Sequence, residues 1–275
     1  MGNMTFSIDA YTLDNSHLTT EYLEEIFFDK ELCNKDKFDD IKELYIINPD
    51  RKIYFGNLKY LTNLTIIKLS DPKIIDVPKE ITELVNLEEL SLNKNNMISI
   101  YTKLKRLTNI SKLKNLKKLS VSMTGDVFPD EILKLKNLND LFLITDKNMD
   151  ISNELCEMEN LYQLYYCNED NLSFCPNFIK KDNKMIICEM YKSDFFDYEL
   201  HKNNIEEVND LKILNCKFDK LENLPNHIEI LRLGKNVKEL PNLPLGLKKL
   251  YLYNYLPYFE IDKIKLPFGC ELILV

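Results

Sequence analysis

Apolar residues fall into a repeated frame along most of the chain: one, a second three positions later, and a third two positions after that. The frame apolar-x-x-apolar-x-apolar occurs at Ile41, Leu44, Ile46; Leu64, Ile67, Leu69; Leu87, Leu90, Leu92; Leu116, Leu119, Val121; Leu138, Leu141, Leu143; and Leu161, Leu164, Tyr166. It blurs between Met185 and Met190, then returns at Val208, Leu211, Ile213; Ile228, Leu231, Leu233; and Leu247, Leu250, Leu252. A last unit is read at Cys270, Ile273 and Val275. Successive units start 23, 23, 29, 22 and 23 residues apart in the first half and 20 and 19 apart in the second. A fixed period of this length means that each unit is one supersecondary element, buried only by stacking on its neighbours. Alternation around the second and third apolar positions predicts a short strand, its intervening side chains facing outward. The remainder of each unit must return on the other side as a helix or turn, and the short units predict extended or 3₁₀ returns over 218–266.

The lead-ins sharpen this picture. Leu87-Glu-Glu-Leu90-Ser-Leu92-Asn-Lys-Asn95-Asn-Met97 follows Val77-Pro78-Lys-Glu-Ile81-Thr-Glu-Leu84-Val-Asn-Leu87, and Phe128-Pro129-Asp-Glu-Ile132-Leu-Lys-Leu135-Lys-Asn-Leu138 repeats that approach. These units resemble the leucine-rich-repeat family, the first half being similar to its intracellular 23-residue class. Leu224-Pro225-Asn-His-Ile228 and Leu243-Pro244-Leu-Gly-Leu247 resemble the short Leu-Pro-x-x-Leu repeats of bacterial effector, amoebal and giant-virus proteins. The resemblance implies an α/β leucine-rich-repeat solenoid, a curved horseshoe with a parallel β-sheet on its concave face. The expected division is an N-terminal cap over 1–40 and a solenoid over 41–275 of about 10–11 repeats, shorter after 205. Where the family carries an asparagine after the strand, this chain has Asn95, Asp146, Cys216 and Asn236, but also Pro49, Pro72 and Glu169.

Before the first unit, Leu18, Tyr22, Leu23, Ile26 and Phe27 have helical spacing behind Thr20, a residue suited to an N-cap, so a helical cap is expected. The same stretch resembles the opening helix of an F-box, with Thr19 where that motif has proline. This resemblance implies the alternative role of a ubiquitin-ligase substrate adaptor.

Outward strand positions form the candidate binding surface. One column reads Tyr45, Lys68, Ser91, Ser120, Phe142, Tyr165, Lys212, Arg232 and Tyr251; the next reads Ile47, Ser70, Asn93, Ser122, Ile144, Cys167, Leu214, Gly234 and Tyr253. Phe142, Ile144, Tyr165 and Cys167 make an apolar patch, the kind of exposed surface that marks an interaction site. Lys212, Arg232, Tyr251 and Tyr253 combine positive charge with aromatic rings. The alternative for each is packing within a strand ladder. The apolar stretch Glu271-Leu-Ile-Leu-Val275 is expected to be an edge strand, a template for homodimer pairing.

Charge and chemistry narrow the function. A net charge of −8 disfavours a nucleic-acid partner held by bulk electrostatics. Lysines and Arg106 crowd residues 94–125, which contain no acidic group until Asp126, and would suit an acidic partner if not simply solvated. No apolar run is long enough for a membrane span, and the polar first twenty residues lack a secretory pattern, which together lead to the expectation of a cytoplasmic protein. Seven cysteines without a Cys-x-x-Cys pair read as reduced thiols, and the stretch Asp194, Asp197, Glu199, His201 is read as surface, with no metal. Phosphate-loop, dinucleotide, nucleophile-elbow and zinc-protease motifs are missing. The expectation is therefore a non-catalytic protein-interaction module without cofactor, its partner a protein held on the concave face.

Overall fold

The structure is a computed structural model. It describes residues 4–8, 41–47, 54–70, 74–92, 104–147, 149–168, 178–188, 204–214, 221, 224–234, 240, 242–252 and 264–275. Residues 18–27, expected to form the helical cap, lie outside these, as do Tyr253 and the acidic stretch 194–201. The chain divides into two compact units, Met1–Asp150 with Tyr166–Leu172, and Ile151–Tyr165 with Ser173–Val275.

The first unit is built on a sheet ordered β1 (Met4–Ile8), β2 (Ile41–Ile47), β3 (Ile66–Ser70), β4 (Glu89–Leu92), β5 (Lys118–Met123) and β6 (Asp140–Thr145), followed by residues 166–168 of β7 (Gln163–Asn168). Pairings from β1 to β6 are parallel. Leu44, Ile67, Leu90, Leu119 and Leu141 are partners across successive strands, and each is at most 1% exposed. Leu92, Val121 and Leu143 form a second such column. Each fully buried leucine contributes about 1.5–3 kcal/mol over an exposed one, but only while the adjacent rung covers it.

The returns are mostly 3₁₀, at Phe55–Tyr60, Ile110–Lys112 and Asp130–Lys134, with one α-helical turn at Lys79–Thr82. Spacing of the buried residues explains why. Leu58, Leu61, Leu64; Ile110, Leu113, Leu116; and Ile132, Leu135, Leu138 recur every third residue, which is the 3₁₀ period, and the α-helical return keeps the same step at Ile81, Leu84 and Leu87 because its helix lasts only one turn. Backbone bonds follow the same step: the Leu113 N–H donates to Ile110 O at 3.0 Å and the Leu116 N–H to Leu113 O at 3.1 Å. Pro78 and Pro129 precede two of the returns, where a fixed φ and a missing N–H do least harm.

An asparagine just before the first leucine of the frame, ahead of the strand, joins rung to rung. Asn86 Nδ2 donates to Thr62 O (3.0 Å), Asn115 to Val85 O (2.9 Å) and Asn137 to Lys114 O (2.8 Å). In the return, Asp76 accepts from the Thr108 N–H (2.9 Å) and hydroxyl (2.6 Å).

The second unit carries a sheet ordered β8 (Phe178–Lys181), β9 (Lys184–Cys188), β10 (Asp210–Leu214), β11 (Ile230–Leu233), β12 (Lys249–Leu252) and β13 (Glu271–Leu274). Columns Met185, Leu211, Leu231, Leu250 and Ile187, Ile213, Leu233, Leu252 line its core. Residues 224–229 and 242–248, which lead into β11 and β12, hold turns and no helix.

Three features depart from the sequence reading. Residues 4–8 form a strand parallel to β2, where only a helical cap was expected. β8 runs antiparallel to β9 through a two-residue turn at Asp182 and Asn183, with Asp182 in left-handed backbone (φ 51°). In β13 the core-facing residues are Leu272 and Leu274, paired with Leu250 and Leu252, while Ile273 lies opposite Tyr251. The expected frame Cys270, Ile273, Val275 is thus one residue out of register, which exchanges the two faces of a strand.

Candidate functional site

On the outward face of the first unit, register places Tyr45 beside Lys68, Lys68 beside Ser91, Ser91 beside Ser120, and Ser120 beside Phe142. Ser122 is paired with Ile144 in the adjoining row. Alternation along each strand sends the leucines inward and these side chains outward, so β5 and β6 alternate buried and half-buried positions. Tyr45, Lys68, Ser120, Phe142 and Ile144 are half-buried, and Ser91 is buried.

The row has three chemical sections. At one end Tyr45 Oη donates to Glu43 Oε2 (3.1 Å), Lys68 Nζ is 2.8 Å from Glu89 Oε1, and that ammonium lies 5.3 Å from the Tyr45 ring centre. Burial and the Glu43 hydrogen bond raise the Tyr45 pKa. Burial alone would lower that of Lys68, but the hydrogen bond and charge of Glu89, helped by Tyr45 and Glu43, raise it on balance, so the ammonium persists. Ser91, Ser120 and Ser122 supply small hydroxyls in the middle, and Phe142 with Ile144 an apolar end. Such a strip can hold a polypeptide by hydrogen bonds and one apolar contact. Tyr165 belongs to the second unit, where it is half-buried, and the side chain of Cys167 lies outside the described residues.

Lys212 and Arg232 require a correction. Both were expected as partner-binding side chains on the outward face, with packing in a strand ladder as the alternative, yet Lys212 is 3% and Arg232 6% exposed. They sit in an outward row of the second unit that reads Ile186, Lys212, Arg232, Tyr251, Ile273. Part of this row is covered by the protein's own chain. Lys212 Nζ donates to Met158 O (2.5 Å) and Glu159 O (3.2 Å) and stands 5.6 Å from the Tyr162 ring centre. Cys156, in the 3₁₀ turn Asn153–Glu157, donates its thiol to Ile179 O (3.4 Å), and Lys184 pairs with Glu157. Arg232 binds Asp210 at 2.5 Å and lies 4.5 Å from the half-buried Tyr251 ring. Alternation correctly assigned these side chains to the face opposite the leucines. It carried no information about a covering segment roughly 50 residues earlier in the chain.

Burial, with the neighbouring Arg232 charge, lowers the Lys212 pKa to about 7. Burial raises that of Asp210 against the opposing pull of Arg232, Lys212 and Lys184, and lifts the Cys156 thiol to about 11. A partly open recess here is lined by Cys156, Glu159, Lys184, Asp210, Lys212 and Arg232 together with Met185 and Ile186. Among the described residues no group of three or more His, Cys, Asp or Glu side chains is placed to hold a metal, and no helix is long and apolar enough to cross a membrane.

Parallel strands, leucine columns in register and short returns give the chain a leucine-rich-repeat fold, each unit a stack of such repeats. No protein-family model matches the chain. Among curated proteins it is similar to an adenylate cyclase of Schizosaccharomyces pombe, 32% identical over 153 residues, a match spanning 50% of this chain and 9% of that protein. Among solved structures it is similar to internalin C2 of Listeria monocytogenes (17% identity, TM-score 0.38, 64% of this chain and 63% of that one). It is also similar to a leucine-rich-repeat protein of Leptospira interrogans (16%, 0.34, 85% and 62%) and to a second L. monocytogenes internalin (16%, 0.35, 86% and 69%). At such scores the superpositions add little, and the class rests on the chain's own columns.

Proposed function

We propose that the chain is a non-catalytic protein-recognition module that holds its partner on the outward row of the first unit. The observation that carries this is the register of Tyr45, Lys68, Ser91, Ser120 and Phe142, one continuous strip whose side chains are set by buried aliphatic residues on either side of each. Aromatic residues at both ends fit the role of energetic anchors, with small polar residues between them. A cytosolic setting belongs to the same reading, as does a protein partner in preference to nucleic acid, which the charge of −8 supports. The cyclase match covers too little of that enzyme to bring its activity to this chain.

Replacing Tyr45 and Phe142 together by alanine should reduce partner capture at least tenfold while leaving the far-ultraviolet circular dichroism unchanged. Capture at wild-type level by a folded double variant would contradict the reading. The adaptor alternative rests on Leu18 to Phe27 in sequence only; co-purification of a ligase scaffold, lost on deleting residues 1–40, would favour it. Homodimerisation through β13 is a separate proposal, supported by the half-exposed Leu274 and Val275 at that edge.

A further inference from the structure

We propose that Lys212 is a carbamylation site, its side-chain amine taking up carbon dioxide in the recess beside Arg232. The charge count is the first support. Two cationic side chains, Lys212 and Arg232, are register partners on β10 and β11, and the half-buried carboxylate of Asp210, two residues before Lys212 on β10, is held by Arg232. Among the described residues no carboxylate oxygen lies within ion-pair distance of Lys212 Nζ; its acceptors are the neutral carbonyls of Met158 and Glu159. Leaving an ammonium buried without a counter-ion is unfavourable, and shedding one proton removes the penalty. A neutral amine has two N–H donors, which match the two carbonyls, and it retains a lone pair. The pKa lowered to about 7 agrees with this geometry: burial and the Arg232 charge outweigh Asp210, Cys156, Glu159 and the Tyr162 ring, which favour the cation.

The recess provides the second support, because Lys212 and Arg232 both line it and it is too confined for a bulky electrophile. Groups facing it are Lys184 from β9, Asp210 from β10, Arg232 from β11, and Cys156 and Glu159 from the covering segment; Glu157 is engaged by Lys184. The Lys212 lone pair attacks the carbon of carbon dioxide, forming an N–C bond while one C=O pair moves onto oxygen, and the displaced N–H proton leaves to water. The resulting carbamate is an anion next to the Arg232 guanidinium, with Lys184 also lining the recess. It keeps one N–H for Met158 O and gives up the longer contact to Glu159 O.

The test is to incubate the full chain with ¹³C-bicarbonate at mildly alkaline pH, trap carbamates by alkylation, and map them by peptide mass spectrometry. Trapped label concentrated on the Lys212 peptide, well above that on the exposed Lys79, Lys117 and Lys248, is the expected result. The ¹³C carbamate resonance should disappear in a folded Lys212→Arg or Lys212→Met variant. Should those variants fail to fold, the wild-type peptide map decides alone. Absence of label at Lys212, or label spread evenly over exposed lysines, would overturn the assignment.

Discussion

Lys212 shows how far one side chain's surroundings can differ from its strand position. Its folded pKa of about 7 lies below the unfolded value near 10.4, so the unfolded chain binds more protons between those limits. Stability from this group is therefore complete above the unfolded pKa and is lost as pH falls towards 7. Relative to Lys212→Met, the wild-type unfolding free energy should rise with pH over that window, by up to about 1.4 kcal/mol per unit. Urea denaturation of both proteins from pH 7 to 10 measures it, and parallel curves would show that the amine titrates normally. The core leucines, by contrast, were legible from sequence: Leu90, Leu119 and Leu141 are each register partners and almost fully buried. For these the frame itself states the environment. For Lys212 the environment depends on Met158, Glu159 and Tyr162, which no local pattern near β10 names.

At the scale of elements, stability depends on contacts between neighbouring rungs. Asn115→Ala removes the donor to Val85 O and should cost about 0.5–1.5 kcal/mol, whereas Leu119→Ala in the core column should cost about 2–5 kcal/mol. Gly246 is a tighter case. A Cβ there would stand 2.2 Å from Asn226 O on the preceding rung, so Gly246→Ala must push the two backbones apart, at about 1–3 kcal/mol. Thermal melts of the three variants test the order, and an unaffected Gly246→Ala would mean that the rungs are farther apart than described. The 3₁₀ returns were already written in the three-residue spacing of Leu58, Leu61, Leu64 and its counterparts. The β8–β9 hairpin was likewise present as Asp182-Asn183 between two apolar runs. Both signals are local and went unread because the longer repeat dominated the pattern. The slip at β13 had another origin: Cys270, Ile273 and Val275 satisfy the apolar frame as well as the true pair Leu272 and Leu274 do, and only pairing with β12 separates them.

Across the whole molecule, the two units present different outward rows. That of the first runs from Tyr45 and Lys68 through serines to Phe142, while that of the second is partly closed over Lys212. Among the described residues β13 is the last strand of its sheet, and Leu274 is 50% exposed, against 6% for its partner Leu252. If two copies pair there, light scattering should find a dimer for the full chain and a monomer for residues 1–265; identical masses would dismiss that interface. The central claim concerns the first unit, and site-specific photocrosslinking in the native cell tests it most directly. A photoreactive residue placed at Ser120, inside the row, should crosslink a defined partner, whereas the same residue at the exposed Lys112 in the return should not. Crosslinking from Lys112 alone, or equally from both positions, would contradict recognition through the outward row.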